Sequence, residues 1–426
     1  MVFDNQQEDP RSWKREQAWK ARRNAGHILG WIVMFCLAAG PMAWANDSQE
    51  DEFIRSASLD SGYMEIANRP MLHFGMEYHQ ALTLADEAVE KIPLLGTTST
   101  GRLLWVAFGF SIWQPLNAPY QVSIHEWGHA TRVHAMGYSF TLAPLNHPTE
   151  TYDGFFPYFL AMFSHANEGG VTSWTGTPYP GVPADILNGT PGMAGMNNQM
   201  AMSEYIEDTI YHVNGHYTYL YPYIYGKLSA YSYVQATRGE LNPSPGNDVV
   251  NVMNFWQTKG YAISMGDLET ANLRAVFLSG TFWSLMNAGS GHINWLDPVA
   301  RPLEWGPVRI PDLEAYLTTR GLSHKIKTGL RFGNWSFPIA YEQVYLGGYG
   351  EEYTLGARWA NAFGLEDTTL AHTRIGTNAE TLIRWRFVTL GYNLYDGMSL
   401  HGERNAISWQ RGRWSDEIWA RVSYRY

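Results

Sequence analysis

Gln121-Val-Ser-Ile-His125-Glu126-Trp127-Gly128-His129-Ala-Thr-Arg-Val-His134-Ala-Met-Gly137 is the stretch on which the reading of this chain turns. No proline interrupts it, and Val122 and Val133 flank the two histidines at helical spacing. Residues four apart lie on one face of a helix, so His125 and His129 reach a single point while Glu126 projects beside it. Upstream, Asn117 fits an N-cap and Pro119 a first turn, where the missing proline N–H leaves no bond unmade. Downstream, Gly137 fits a left-handed C-cap. Two imidazoles converging beside a carboxylate supply two zinc ligands and a general base for a zinc-activated water.

The sequence His125-Glu126-Trp127-Gly128-His129, followed by Gly137, resembles the HExGH…G pattern of membrane-associated zinc metallopeptidases, of both the site-2 protease and the Ste24/HtpX types. It does not fit the metzincins, whose third histidine and intervening glycine would fall at Ala135 and Arg132. A zinc site of this kind needs a third protein ligand. Residues 200–216 carry Glu204, Asp208, His212 and His216 at successive i+4 steps, which is one stripe if the segment is helical. Glu204-Tyr-Ile-Glu207-Asp208 is similar to the Glu-x-x-Ala-Asp segment of the Ste24/HtpX type, with Glu207 where that pattern has alanine. The resemblance implies Glu204 as third ligand and Asp208 as the carboxylate that orients a zinc-bound histidine. Because the site-2 type takes an aspartate from a distant segment, Asp153 and Asp297 stay open as alternatives. His212 and His216 are candidates for contact with a substrate carbonyl and its developing oxyanion, and His216 joins Glu126 in the expected catalytic pair.

Composition narrows the partners. The chain has 426 residues, 45% of them hydrophobic, with charged residues sparse at 16%, aromatics abundant at 15%, and a net charge of −10. That is enough apolar material for two or three domains, and an acidic chain with scattered Lys and Arg is not built for nucleic acid. Residues 1–45 read as an export signal: six basic residues from Arg11 to Arg23, an apolar run from Ile28, then Ala43-Trp44-Ala45 as a cleavage site. An uncleaved anchor is the alternative. The single cysteine, Cys36, lies in this segment, so a cleaved chain has no disulfide and any zinc site uses His, Asp or Glu.

Along the rest of the chain, residues 76–91 read as a helix stopped by Pro93. Residues 103–113 are apolar but too short to span a bilayer as a helix and read as a buried or interfacial element behind the motif. Residues 142–195 are rich in Pro, Gly, Asn and Thr and read as walls of a substrate cleft. Tyrosines at 217, 219, 221, 223 and 225 alternate as in an extended segment. Residues 249–260 and 268–287 read as helices. From about Leu322 the period changes to two, as in Ile383, Trp385 and Phe387 set between Arg384 and Arg386. The ending, with Ile418, Ala420, Val422, Tyr424 and Tyr426 on one face, resembles the last strand of bacterial outer-membrane β-barrels. A soluble sheet with one packed face alternates equally well.

The expected fold class is α+β: a signal segment at 1–45, a mainly helical, zincin-like catalytic region at 46–321, and an antiparallel β-sheet or small β-barrel at 322–426. The function this implies is zinc-dependent hydrolysis of a protein or peptide substrate in the bacterial cell envelope, outer membrane or periplasm, with membrane association and no nucleic acid. Two alternatives remain open: an outer-membrane barrel protein with a non-catalytic helical insert, and a zinc amide hydrolase acting on the cell wall.

Overall fold

The computed structural model describes residues 56–60, 66–93, 98–165, 168–239, 246–290, 298–360, 370–376, 378–385, 387–409 and 414–425. The expected signal segment, Cys36 and Asp297 lie outside them.

Helix α1 (Arg69–Glu90) takes in the predicted helix and adds turns at its start, with Pro70 in the first turn. The motif lies on α2 (Ser99–Ala135), which begins well before Asn117: Thr98 is the N-cap, its hydroxyl accepting the Gly101 N–H at 3.0 Å. Asn117 and Pro119 therefore lie in the middle of the helix and not at its start, as does Pro115. The Asn117 side chain donates to the Trp113 carbonyl at 2.9 Å, so a residue suited to capping is satisfied one turn back along the helix instead. The run 103–113 is the first half of α2, and Leu104, Phe108 and Ile112 on it are exposed. Gly137 follows α2 with φ 103°, the left-handed geometry its position called for.

The irregular region contains β2 (Ser139–Pro144), α3 (Phe155–Ser164) and β3 (Gly170–Thr175), with β2 and β3 paired antiparallel. Helix α4 (Ala184–Val213) then packs along α2. It ends at Asn214 (φ 62°), so His216 falls beyond the expected stripe, on the two-residue strand β4 (Gly215–His216). The tyrosine run is not extended. Tyr217–Tyr219 forms a 3-10 turn and α5 (Leu220–Lys227) follows, with Tyr217, Tyr219, Tyr221 and Tyr223 buried. Pro222 sits in the first turn of α5, where no N–H is needed, so its presence argued against a strand and not against a helix.

Helices α6 (Ser229–Arg238), α7 (Asp248–Thr258), α8 (Met265–Phe277) and α9 (Gly280–Ser290) follow. The predicted helix 268–287 is broken at Leu278–Ser279, and Asp312 accepts the Thr281 N–H at 2.8 Å to cap the new start. Short strands β5 (Val299–Ala300), β6 (Glu304–Trp305) and β7 (Val308–Arg309) lead into β8 (Asp312–Thr318), so strand structure begins upstream of 322. Both faces of β8 are covered, all seven residues being buried, which hides its two-residue period from a simple in–out reading.

The remaining strands are β9 (Gly321–Phe332), β10 (Trp335–Gly347), β11 (Glu351–Ala360), β12 (Leu370–Gly376), β13 (Ala379–Trp385), β14 (Val388–Asp396) and β15 (Trp414–Arg425), with the short helix α10 (Leu400–Asn405) before the last. They form one antiparallel sheet in the order β1 (Ser56–Asp60), β15, β14, β13, β12, β11, β10, β9, β7, β6, with β8 also on β9. Among the described residues this path is open; the sheet form of the expected β region is present and no barrel closure is.

The sheet is inverted relative to a soluble one. Lys325, Lys327, Glu342, Asn393, Glu417 and Ser423 are buried, while Ile326, Ile339, Leu355, Ile383, Leu390, Ile418 and Val422 face outward and are exposed. The buried polar face meets the helices. Arg69 of α1 binds Glu417 at 2.7 Å, and Arg404 of α10 grips both oxygens of Glu342 at 2.7 and 2.5 Å. Between α1, α4 and this face lies a cavity of about 340 Å³ lined by charged side chains including Glu204, Arg358, Glu380 and Arg384.

Candidate metal centre

His125 and His129 converge as their spacing requires, their Nε2 atoms 3.1 Å apart. The third member is Asp248, the first residue of α7, capped by Asn247, whose side chain accepts the Val250 N–H at 3.1 Å. Asp248 Oδ2 lies 2.9 Å from His125 Nε2 and 3.2 Å from His129 Nε2. Ligand bonds of 2.0–2.2 Å in a tetrahedral centre set donors roughly 3.3 Å apart, so the three atoms outline one face of such a centre. These residues can hold a metal ion.

The outer ring nitrogens are fixed as metal-ligating imidazoles usually are. His125 Nδ1 faces Gln199 Oε1 at 3.0 Å, and the Gln199 amide donates to the Gln121 carbonyl at 3.1 Å. His129 Nδ1 faces the Pro191 carbonyl at 2.6 Å. Close helix approach makes this possible. A Cβ on Gly128 would meet the Ala194 carbonyl oxygen, and one on Gly195 would run into the His125 imidazole. The glycine within HExGH is therefore where α4 crosses α2.

Burial alone would lower the His129 imidazole, but the adjoining Asp248 carboxylate outweighs it and raises the group to about 9. Asp248 is displaced the other way: burial would raise it, and the two imidazoles hold it well below the usual carboxylate range. A cation held here would compete with a proton for these groups.

Glu126 lies beside the triangle, buried, its Oε2 accepting the Thr172 hydroxyl of β3 at 2.7 Å. Gly170 of the same strand has no room for a Cβ between Glu126 and the Tyr158 hydroxyl. Burial, reinforced by Glu126, pushes the Tyr158 phenol far up. On the other side the Tyr233 ring of α6 stacks on His125 (centroids 4.9 Å apart, interplanar angle 4°), and its hydroxyl reaches His125 Nε2 at 3.0 Å. Burial, with Asp248 adding, keeps that phenol protonated far above neutrality.

The other expected site residues lie elsewhere. Glu204 is on α4 as predicted, but it faces the sheet, taking Lys325 Nζ at 2.5 Å and the Tyr316 hydroxyl at 2.5 Å. Burial would raise its carboxyl; Lys325 and Lys327 more than offset that and hold it well below the usual range. Asp208 pairs with Lys327 at 2.7 Å, not with a site histidine. His216 is buried against Thr218 (2.9 Å) and Asp86 (3.7 Å), and His212 lines the charged cavity. Asp153 is exposed and outside the triangle. The i+4 stripe thus marks a buried ion network between α4 and β9, because the inverted sheet turns lysines toward the helix. Asp248 and Tyr233 were missed. An aspartate after Asn247 at a helix start already has a reason to be there in the helix dipole, and nothing local sets it apart.

No protein-family model, curated protein or solved structure matches the chain.

Proposed function

We propose that this chain is a zinc-dependent peptidase seated at a lipid surface. The observation that carries the enzymatic part is the triangle of His125, His129 and Asp248, with edges of 2.9–3.2 Å and Glu126 alongside. Two imidazoles and one carboxylate are a donor set that zinc accepts in hydrolytic centres, leaving a further position open. Zinc held by these residues would supply Lewis acidity and would acidify a water from about 15.7 to about 7. Glu126, steadied by Thr172, takes a proton from the attacking water and returns it to the leaving amine. Tyr233 O–H donates to the carbonyl oxygen as it gains charge. Thr172 and Gly170 of β3 form a wall on the Glu126 side, where an extended peptide would run.

The test is hydrolysis of an unstructured peptide library by the zinc-loaded protein, with a cell-wall peptidoglycan digest in parallel. Glu126→Gln is expected to lose about 10²–10⁴-fold in rate with its zinc retained. Unchanged hydrolysis in that variant sinks the assignment, and cleavage of peptidoglycan alone moves it to the cell-wall amide reading.

The lipid surface is supported by the outward face of the sheet. At one end Trp335 and Trp359 are cross-strand partners, stacked with centroids 5.0 Å apart; at the other Tyr341 and Tyr353 are partners at 4.7 Å; Ile339 and Leu355 pair between them. An aliphatic band between two aromatic rims is the pattern of strands against hydrocarbon. Tyr353 to Trp359 spans roughly 20 Å along the strand at about 3.4 Å per residue. No helix among the described residues is long and apolar enough to cross a membrane. The full chain is expected to float with phosphatidylethanolamine–phosphatidylglycerol vesicles in a density gradient, and Leu355→Glu with Ile383→Glu to sink. A wild-type protein that stays monodisperse in detergent-free buffer and fails to float rules this placement out.

A further inference from the structure

A second convergence of ligating atoms lies on the segment between β2 and β3. His147 Nε2 is 3.5 Å and His165 Nδ1 3.6 Å from the same oxygen, Oε1 of Glu168, and the donors of all three residues fall within 4.8 Å of one another. The opposite nitrogens are taken by a different carboxylate. His147 Nδ1 lies 3.3 Å from Glu150 Oε1, and His165 Nε2 lies 3.3 Å from Glu150 Oε2. The other Glu168 oxygen accepts the Asn146 N–H at 3.3 Å.

An ordinary ion pair does not account for this division. A neutral imidazole has one N–H and one lone pair, so each ring can satisfy one of its two carboxylates and turns a lone pair on the other. Protonating both rings removes that conflict but sets two positive charges with ring centroids 4.5 Å apart. A divalent cation against His147 Nε2, His165 Nδ1 and Glu168 Oε1 resolves it. The rings stay neutral, their inner lone pairs bind the ion, and both outer N–H groups point to Glu150, the carboxylate behind metal-bound histidines. Donor separations of 3.5 and 3.6 Å are close to the roughly 3.3 Å of a tetrahedral nitrogen–oxygen site.

We propose that His147, His165 and Glu168 form a second divalent transition-metal site, of zinc-like preference, oriented by Glu150. His147 and Glu150 follow β2; His165 and Glu168 stand between α3 and β3. The ion closes the base of the excursion that carries Tyr158, just before the strand whose Thr172 holds Glu126. Side-chain exposures of 43% for His147, 21% for Glu168 and 14% for His165 leave it open to solvent on one side.

Equilibrium dialysis of the full chain against zinc chloride buffered at sub-micromolar free concentration, followed by metal analysis, tests the site without any activity assay. Two ions per chain are expected for the wild type, one for the double variant His147→Ala/His165→Ala, and one for His125→Ala/His129→Ala. Glu150→Gln, which keeps the fold and the three ligands, is expected to weaken the second ion by about 10–100-fold. A wild-type count that the His147/His165 variant does not lower overturns the second site. A single ion lost in that variant and kept in the His125/His129 variant overturns the first centre and leaves this one standing.

Discussion

Replacing Asp248 by alanine is expected to lower zinc affinity at the His125–His129 centre by more than about 100-fold, beyond the 10–100-fold typical for a partner behind the ligands. The reason is geometric. Asp248 Oδ2 is the only carboxylate oxygen within 3.2 Å of both histidine Nε2 atoms among the described residues. Without it, two imidazoles on one helix face are left to hold the ion alone. Glu204→Gln is expected to leave zinc binding as it is, because Glu204 faces Lys325 and Tyr316 across the α4–β9 interface. Exposed Asp153→Ala is the control for a change in charge alone. Competition with a chromophoric chelator, read in the His147→Ala/His165→Ala background, isolates this centre. Zinc affinity lost in Glu204→Gln and kept in Asp248→Ala would show that the third ligand is the stripe residue after all.

The second large effect concerns stability. Lys327→Met is expected to destabilise the protein by about 3–5 kcal/mol, the cost of breaking a buried pair by removing one partner. Its ammonium lies 2.7 Å from Asp208, 3.5 Å from Glu204, 3.6 Å from Glu314 and 3.7 Å from Glu207, with the lysine side chain only 6% exposed. Removing it leaves four carboxyl groups near one another, with Lys325 on Glu204, Lys227 on Glu207 and Arg309 4.0 Å from Asp208. A matched control is Lys259→Met. Lys259 pairs with Asp185 at 2.6 Å, but both side chains are open to solvent, and such pairs contribute roughly 0–1 kcal/mol. Thermal unfolding in detergent compares the two variants. Equal losses for Lys327 and Lys259, or a loss below about 1 kcal/mol at Lys327, would show that the network is solvated and not a buried anchor.

The two contrasts show where sequence reading stops. His125, Glu126 and His129 are legible because a helix fixes their relation locally: four residues make one turn, and no other part of the chain is needed to bring two imidazoles to one point. Gly137 is legible for the same reason, since its backbone angle is a local property. The i+4 regularity of Glu204, Asp208 and His212 is equally local and equally real, and α4 presents them as one stripe. What the spacing cannot say is which neighbour the stripe meets. It meets β9, whose Lys325 and Lys327 face inward because the sheet carries its apolar side chains outward.

The amino-acid sequence by itself determined the motif helix, the two-residue period of the C-terminal strands, and the restriction of a zinc site in the described chain to His, Asp and Glu. Tertiary structure alone decided the rest. It carried Asp248 across more than a hundred residues to the histidines, set Tyr233 on His125, and made Gly128 and Gly195 the points where α2 and α4 nearly touch. Periodicity is written in short-range sterics and can be read along the chain. A ligand set is written in contacts whose partners are distant in sequence, and those exist only once the helices have packed.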